Sequence, residues 1–226
     1  MASCSPSHQA DDSSRDLSPQ FWQGRYEEGT TGWDRGGPSP ALDAWIRSGA
    51  LPPCRILVPG CGRGHEVIPL SRLGFRVTGL DFAPAAVQAA RAHLQAERLE
   101  AEVIEGDIFA FDPAELFAAI YEQTCLCALP PQRWEEYERR LASWLVPGGR
   151  LAAAFMQTDS PSGPPFACPP DAMRKLFAAE RWEWPAELVP VPHPLGLVEL
   201  TGIIRRRPTD PQPMGSTGFE PVTSTV

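Results

Sequence analysis

Three glycines, Gly60, Gly62 and Gly64, occupy alternate positions in the stretch VPGCGRGHE (58–66), directly after the apolar run RIL. Glycine at every second residue lets a loop bring its backbone N–H groups against a ligand with no side chain between them. In doubly wound folds a strand, a glycine-rich turn and a helix start meet an adenosine-containing cofactor at the carboxyl ends of the strands. Farther on, VTGLD ends a second apolar run in Asp81, whose carboxylate can accept from both hydroxyls of a ribose. A third run ends in GDIF, where Asp107 can accept from an adenine amino group and the Ile108 N–H can face a ring nitrogen. Each feature alone has a plain structural reading: an ordinary turn, or an aspartate capping the helix that begins at Pro84. Together they offer complementary groups to three parts of one nucleoside.

These residues need strand ends to carry them. Short β-like apolar runs at 55–59, 76–81, 101–107, 119–127, 150–157 and 197–205, with a further short one near 183–189, alternate with helical stretches. The helices read as 84–99, with Val87, Ala90, Leu94 and Leu99 on one face, and 131–145, with Trp134, Tyr137, Leu141 and Trp144 at spacings of three and four. The expected fold is α/β and Rossmann-like, a mostly parallel seven-stranded sheet with helices on both faces. Residues 1–17 and 207–226, rich in Ser, Asp, Thr and Pro, read as disordered tails around one domain spanning 18–206.

Composition narrows the function classes. With 20 Lys and Arg against 28 Asp and Glu the net charge is −8, which opposes binding to nucleic-acid phosphates and favours a small-molecule partner. The six cysteines form no C-x-x-C pair, so no metal site is expected and reduced thiols in the cytoplasm fit best. The first twenty residues lack a secretory apolar core, and no later run approaches a membrane span. A monomer is the expectation. The G-x-G-x-G spacing is not the G-x-G-x-x-G of nicotinamide enzymes, which sets a reductase aside.

The glycine stretch resembles the first motif of the S-adenosylmethionine-dependent methyltransferases. With FWQGRYEEGTTGWD (21–34), YEQTCLCALPPQRW (121–134) and GPPF (163–166), the chain resembles the thiopurine S-methyltransferase family, which includes halide and thiol methyltransferases, from about residue 18 to 206. The resemblance implies that Trp22, Tyr26 and Trp33 belong to an aromatic lid (18–45) closing over S-adenosyl-L-methionine, with Trp33 also facing the acceptor. It places Gly60 at the methionine portion within the Gly60–Gly62–Gly64 loop, Asp81 at the ribose, Asp107 and Ile108 at the adenine, and Gln123 near cofactor and acceptor. The structural alternative for the tryptophans is a hydrophobic staple onto the core, which suits Trp45, Trp134 and Trp144. Where thiopurine enzymes resemble an Asp-Arg pair and several halide and thiol enzymes a tyrosine, this chain has Glu122 and Gln123. A neutral amide hydrogen-bonds without pairing charge, and Glu122 is the nearest acid for orienting an acceptor.

The implied chemistry is methyl transfer to a small molecule, a thiol, sulfide or halide foremost. Such nucleophiles need no general base, whereas an oxygen or nitrogen acceptor usually does. Methylation of a small metabolite's oxygen or nitrogen is the alternative, as is a cofactor-binding protein without catalysis. His65 after the glycine loop and His193 in VPHPLG, a loop that can border the acceptor pocket, are read as non-catalytic, and no catalytic residue is assigned beyond the acceptor-side candidates Trp33, Glu122 and Gln123. Cys125 and Cys127, read on a strand, share one sheet face as small hydrophobes.

Overall fold

The computed structural model describes residues 17–208. The two expected tails lie almost wholly outside the described residues. Two short helices, α1 (Pro19–Glu27) and α2 (Pro40–Arg47), precede the sheet, each opened by a serine N-cap and a proline at its first turn. The elements that follow are β1 (Arg55–Pro59), α3 (Val67–Arg72), β2 (Arg76–Asp81), α4 (Pro84–Glu97), β3 (Glu102–Glu105) and β4 (Phe117–Gln123). The chain continues through α5 (Trp134–Trp144), β5 (Leu145–Gln157), α6 (Pro170–Leu176), β6 (Trp182–Glu183), β7 (Val189–Pro192) and β8 (Val198–Arg206).

The sheet runs β3-β2-β1-β4-β5-β8-β6, parallel through β5 and antiparallel beyond it. Eight strands are present where seven were expected, because the stretch expected near 183–189 is two strands. β6 and β7 both pair with β8, β6 at Arg205–Arg206 and β7 at Val198–Thr201, so they share one position in the sheet. Strand order reverses between β1 and β4, and such a switch point opens a crevice at the strands' carboxyl ends.

Both faces are covered, which is why the central strands read as unbroken apolar runs. Leu57, Ile120 and Leu151 face α5 and α6, with Tyr137, Leu141, Trp144 and Met173 packed among them. Ile56, Val58 and Ala119 face the other way, onto Leu42 of α2, Leu70 of α3 and Val87 and Ala90 of α4.

Two boundaries depart from the sequence expectation. β4 stops at Gln123: Thr124 takes φ +60, and the chain winds into a 3-10 turn at Leu126–Ala128. The side chain of Glu122 accepts the Leu126 N–H at 2.7 Å and fixes that turn, so Cys125 and Cys127 do not alternate along a strand. β5 begins twelve residues before Gln157, running through Pro147-Gly148-Gly149, because Leu145 already pairs with Phe117 and the register shift between Phe117 and Ala119 absorbs the extra residues.

Trp182 is fully buried; its ring lies 5.5 Å from that of Phe177 and its indole N–H donates to Glu138 at 2.5 Å. Trp182→Ala therefore leaves a cavity and strips a donor from a buried carboxylate, and urea denaturation is expected to show a loss of about 3–5 kcal/mol. Leu73→Ala, at an exposed position, should stay within about 0.5 kcal/mol.

Candidate active site

The glycine loop leaves β1 with Gly60, Gly62 and Gly64 all at positive φ. A Cβ on Gly60 would sit 3.2 Å from both Cβ and Sγ of Cys125, and one on Gly62 would meet the Tyr26 hydroxyl at 3.0 Å. Those two glycines let the loop pass between the turn after β4 and the aromatic segment. Gly64 serves differently: it packs on Ala90 of α4 and borders neither of the cavities described next.

A cavity of about 960 Å³ lies over the strand ends. Among the residues assigned to the site from sequence, Trp22, Tyr26, Trp33, Gly60, Asp81, Asp107 and Ile108 line it. A second space of about 60 Å³ adjoins it, lined by Gly62, Gln123, Arg35, Arg63, Glu66 and His65 and sharing Tyr26, Trp33 and Gly60.

Asp81, at the end of β2, is 6% exposed. One oxygen accepts the Gly62 N–H and the other the Ala83 N–H, both at 2.9 Å, which ties the glycine loop to the start of α4. Each oxygen keeps a lone pair for a further donor. Burial pushes its pKa up, against the lowering by these backbone hydrogen bonds. Asp107 is half committed: Oδ1 accepts the Phe109 N–H at 2.9 Å, and its carbonyl accepts from Ala110 and Phe111. The Ile108 N–H has no hydrogen-bond partner among the described residues.

The aromatic segment forms a wall of this cavity. Trp22 and Trp33 meet edge to face at 5.2 Å, Tyr26 meets Trp33 at 5.8 Å, and the Arg25 guanidinium lies 5.8 Å from the Trp33 ring centre. Trp45, Trp134 and Trp144 do pack as core residues: Trp45 on Tyr121, Trp144 on Phe111, and Trp134 donating its indole N–H to the Leu126 and Leu129 carbonyls. Several contacts fasten the aromatic segment, among them Asp34 with Arg63 at 3.3 Å and with His65 at 2.7 Å. Gln23 accepts the Ala85 N–H at 2.9 Å, supplying the cap that α4 lacks in Ala83. Arg35 pairs with the fully buried Glu199 of β8 at 2.6 Å and donates to the Pro192 carbonyl at 2.7 Å.

Gln123 belongs to this second anchor. Its amide lies 2.8 Å from the Tyr121 hydroxyl; turned one way the nitrogen faces Glu199 at 3.3 Å, turned the other the oxygen accepts from Arg35 at 3.2 Å and the nitrogen reaches Glu66. Glu122, on the opposite face of β4, borders neither cavity. It is 1% exposed, its Oε2 has no partner, and burial pushes its pKa from 4.5 to about 8. The expectation that it orients an acceptor finds no geometric support; it braces the turn after β4.

Sequence reasoning passed over Arg35, Glu66 and Glu199. Glu199 left a signal, an acid inside the apolar strand LVELTGII, whereas Arg35 sits in a glycine-rich loop where pattern says nothing. His193, expected on a loop that can border the acceptor pocket, lines the large cavity at 5% exposure, with Nδ1 accepting the Leu195 N–H at 3.3 Å. Burial and the nearby Arg35 push its pKa down from 6.5 to about 4.

A raised carboxyl pKa has a sign. The folded chain keeps the Glu122 proton between pH 4.5 and about 8, where the unfolded chain has released it, so stability falls as pH rises through that window. Glu122→Gln preserves an oxygen for Leu126 and removes the titration. Denaturation at about pH 5 and about pH 8 should show a smaller loss in the variant than in the wild type, and equal losses would remove Glu122 as the source.

Comparison with known proteins bears on this geometry. A family model described as thiopurine S-methyltransferase matches residues 17–186. A probable thiol methyltransferase 2 of Arabidopsis thaliana is 33% identical over 146 residues, covering 64% of this chain and 65% of that protein. A thiopurine S-methyltransferase of Pseudomonas putida (strain GB-1) is 31% identical over 169 residues, covering 67% of this chain and 78% of that one. The match to the Arabidopsis protein thus spans less than two thirds of that relative's own length. Among solved structures, the Burkholderia thailandensis 1,6-didemethyltoxoflavin-N1-methyltransferase with bound 1,6-didemethyltoxoflavin and S-adenosylhomocysteine superposes with a TM-score of 0.68 at 19% identity, covering 92% of this chain and 93% of that one. That likeness establishes the Rossmann-like class I methyltransferase fold. With its family model covering the aromatic segment, the glycine loop and the strands from β1 to β6, the chain belongs to the thiopurine S-methyltransferase family.

Proposed function

We propose that this protein methylates a small sulfur nucleophile, a thiol or sulfide, using S-adenosyl-L-methionine, as a monomer in the cytoplasm; a halide ion is the other acceptor of the same kind. The observation that carries the reading is the large cavity itself, where an aromatic wall, the Asp81 carboxylate and the Asp107–Ile108 turn face one space. The residues fit that cofactor. Asp81 has lone pairs left for ribose hydroxyls, the Ile108 N–H is free for a ring nitrogen, and the rings of Trp22, Tyr26 and Trp33 suit a cation. A sulfonium against such faces gains roughly 0.5–2 kcal/mol.

When bound, the cofactor would supply a methyl carbon on a positively charged sulfur that departs as a neutral thioether. The chain's own residues have three tasks. Asp81 and the glycine loop fix the nucleoside. Trp22, Tyr26 and Trp33 exclude water, so that an anionic acceptor is less solvated and held in line. The third task, proton removal, falls to no imidazole or thiol of the large cavity: its carboxylates, Asp81 and Asp107, accept from backbone N–H groups, and Glu66, whose pKa burial raises to about 7, lines the smaller space and accepts the Ser39 N–H. His193 is the imidazole on the cavity wall, and with its pKa near 4 it is a feeble base. Cys125 is pushed far above the usual thiol range by burial. A site with so little basicity suits an acceptor that needs no deprotonation in the transition state.

Methyl transfer from labelled S-adenosylmethionine to hydrosulfide, iodide, small thiols, a thiopurine and a phenol tests this directly, with S-adenosylhomocysteine binding followed by calorimetry. Turnover is expected on sulfur acceptors and not on the phenol. Asp81→Ala should weaken S-adenosylhomocysteine by about 1.5–3 kcal/mol through lost charge-assisted hydrogen bonds. A wild-type protein that binds no S-adenosylhomocysteine would contradict the reading.

A further inference from the structure

One polar atom of a residue that lines the large cavity has no use in the reading above: Nε2 of His193, which is buried and lacks a hydrogen-bond partner among the described residues. The residue is rigidly held. It opens the tight turn from β7 to β8, its N–H donating to the Leu197 carbonyl at 2.9 Å and its carbonyl accepting the Gly196 N–H at 3.0 Å. Within that turn Nδ1 accepts the Leu195 N–H. A ring nitrogen that accepts carries no proton, so the neutral ring must hold its proton on Nε2.

Burial first, and a neighbouring cation second, keep the ring neutral. Arg35, from the aromatic segment, acts on it directly and is itself paired with Glu199 of β8; Arg25 of α1 also borders the cavity. The carboxylate on this side is thus already engaged by a guanidinium and leaves the imidazole without an acid partner. What results is a fixed N–H donor in a water-poor wall, and buried donors are seldom left without an acceptor.

We propose that His193 is an acceptor-binding residue of this enzyme, donating its Nε2–H to the nucleophilic atom of an acceptor that arrives as an anion. The inference rests on the methyltransferase reading and adds to it a residue and a rule of selection. Because Nε2 gives a hydrogen bond and Nδ1 is occupied, the imidazole cannot take the acceptor's proton. It stabilises a thiolate over the corresponding thiol, so the protein discriminates among acceptors by how readily each ionises before binding. Nothing is transferred to or from the ring.

The test uses the full chain with His193→Ala and His193→Gln, the latter because its amide nitrogen lies near the place of Nε2. Para-nitrothiophenol, whose thiolate absorbs visible light, is titrated on the protein saturated with S-adenosylhomocysteine. The wild type should lower the pKa of the bound thiol below its free value, the alanine variant should lose that lowering, and the glutamine variant should restore part of it. In turnover with aryl thiols of graded acidity, kcat/KM should follow each thiol's own ionisation. His193→Ala should reduce kcat/KM roughly 10- to 100-fold while S-adenosylhomocysteine affinity, the check on folding, stays unchanged.

Unchanged thiol pKa and unchanged kcat/KM in the alanine variant would overturn this assignment alone, with the methyltransferase reading intact. A protein inflection near neutral pH that vanishes in His193→Ala would also overturn it, by making the ring a base. A wild type that turns over no thiol would overturn the reading and this inference together.

Discussion

The site depends on one carboxylate. Asp81 receives the Gly62 N–H on one oxygen and the Ala83 N–H on the other, so a single side chain joins the loop after β1, the end of β2 and the start of α4. That bridge adds to the Cys61 N–H donating to the Leu80 carbonyl at 3.1 Å and to the Arg63 and His65 side chains meeting Asp34, and together they hold a loop whose three positive-φ positions are reached at an entropic cost. Burial disfavours the charge, and the backbone N–H groups of Ala83, Gly62 and Phe82 favour it. Ribose hydroxyls would add donors to the same group. Holding the loop and, in the proposed function, binding a nucleoside would thus be two uses of one carboxylate.

A second constraint comes from the aromatic segment, which touches both ends of the site. At one end Gln23 caps α4, whose first turn follows Asp81. At the other Arg35 engages Glu199 and the Pro192 carbonyl, immediately beside the turn that carries His193. A buried ion pair of this kind contributes little net stability over an apolar substitute, but it is strict about geometry because an orphaned partner is costly. Its effect is to make the aromatic wall of the large cavity and the wall carrying His193 one mechanical unit. A shift of the Trp22–Trp33 pair cannot occur without disturbing the anchor through Arg35 or the cap through Gln23.

Much of this was legible in the amino-acid order. Runs buried on both faces announced β1 and β2 with their bounds correct, and strand-end placement put Gly60, Asp81, Asp107 and Ile108 around one space. Local pattern failed where a tertiary contact decided the backbone. β4 ends early because Glu122 caps its own downstream turn, and β5 ignores Pro147-Gly148-Gly149 because its partner strand bulges. Gln123, expected near cofactor and acceptor, lines the smaller space and is bound into the Arg35 anchor. Contacts such as Arg35 with Glu199, 164 positions apart, leave no periodic trace. The single acid in an otherwise apolar β8 was the visible half of that pair.

A crystal structure with S-adenosylhomocysteine and an aryl thiol tests the central claim most directly. The account predicts the ribose hydroxyls on Asp81, the adenine at Asp107 and Ile108, the thioether beneath Trp22 and Trp33, and the thiol sulfur on the same side as His193. A nucleoside seated anywhere else, with Asp81 bonded only to the Gly62 and Ala83 amides, would contradict it.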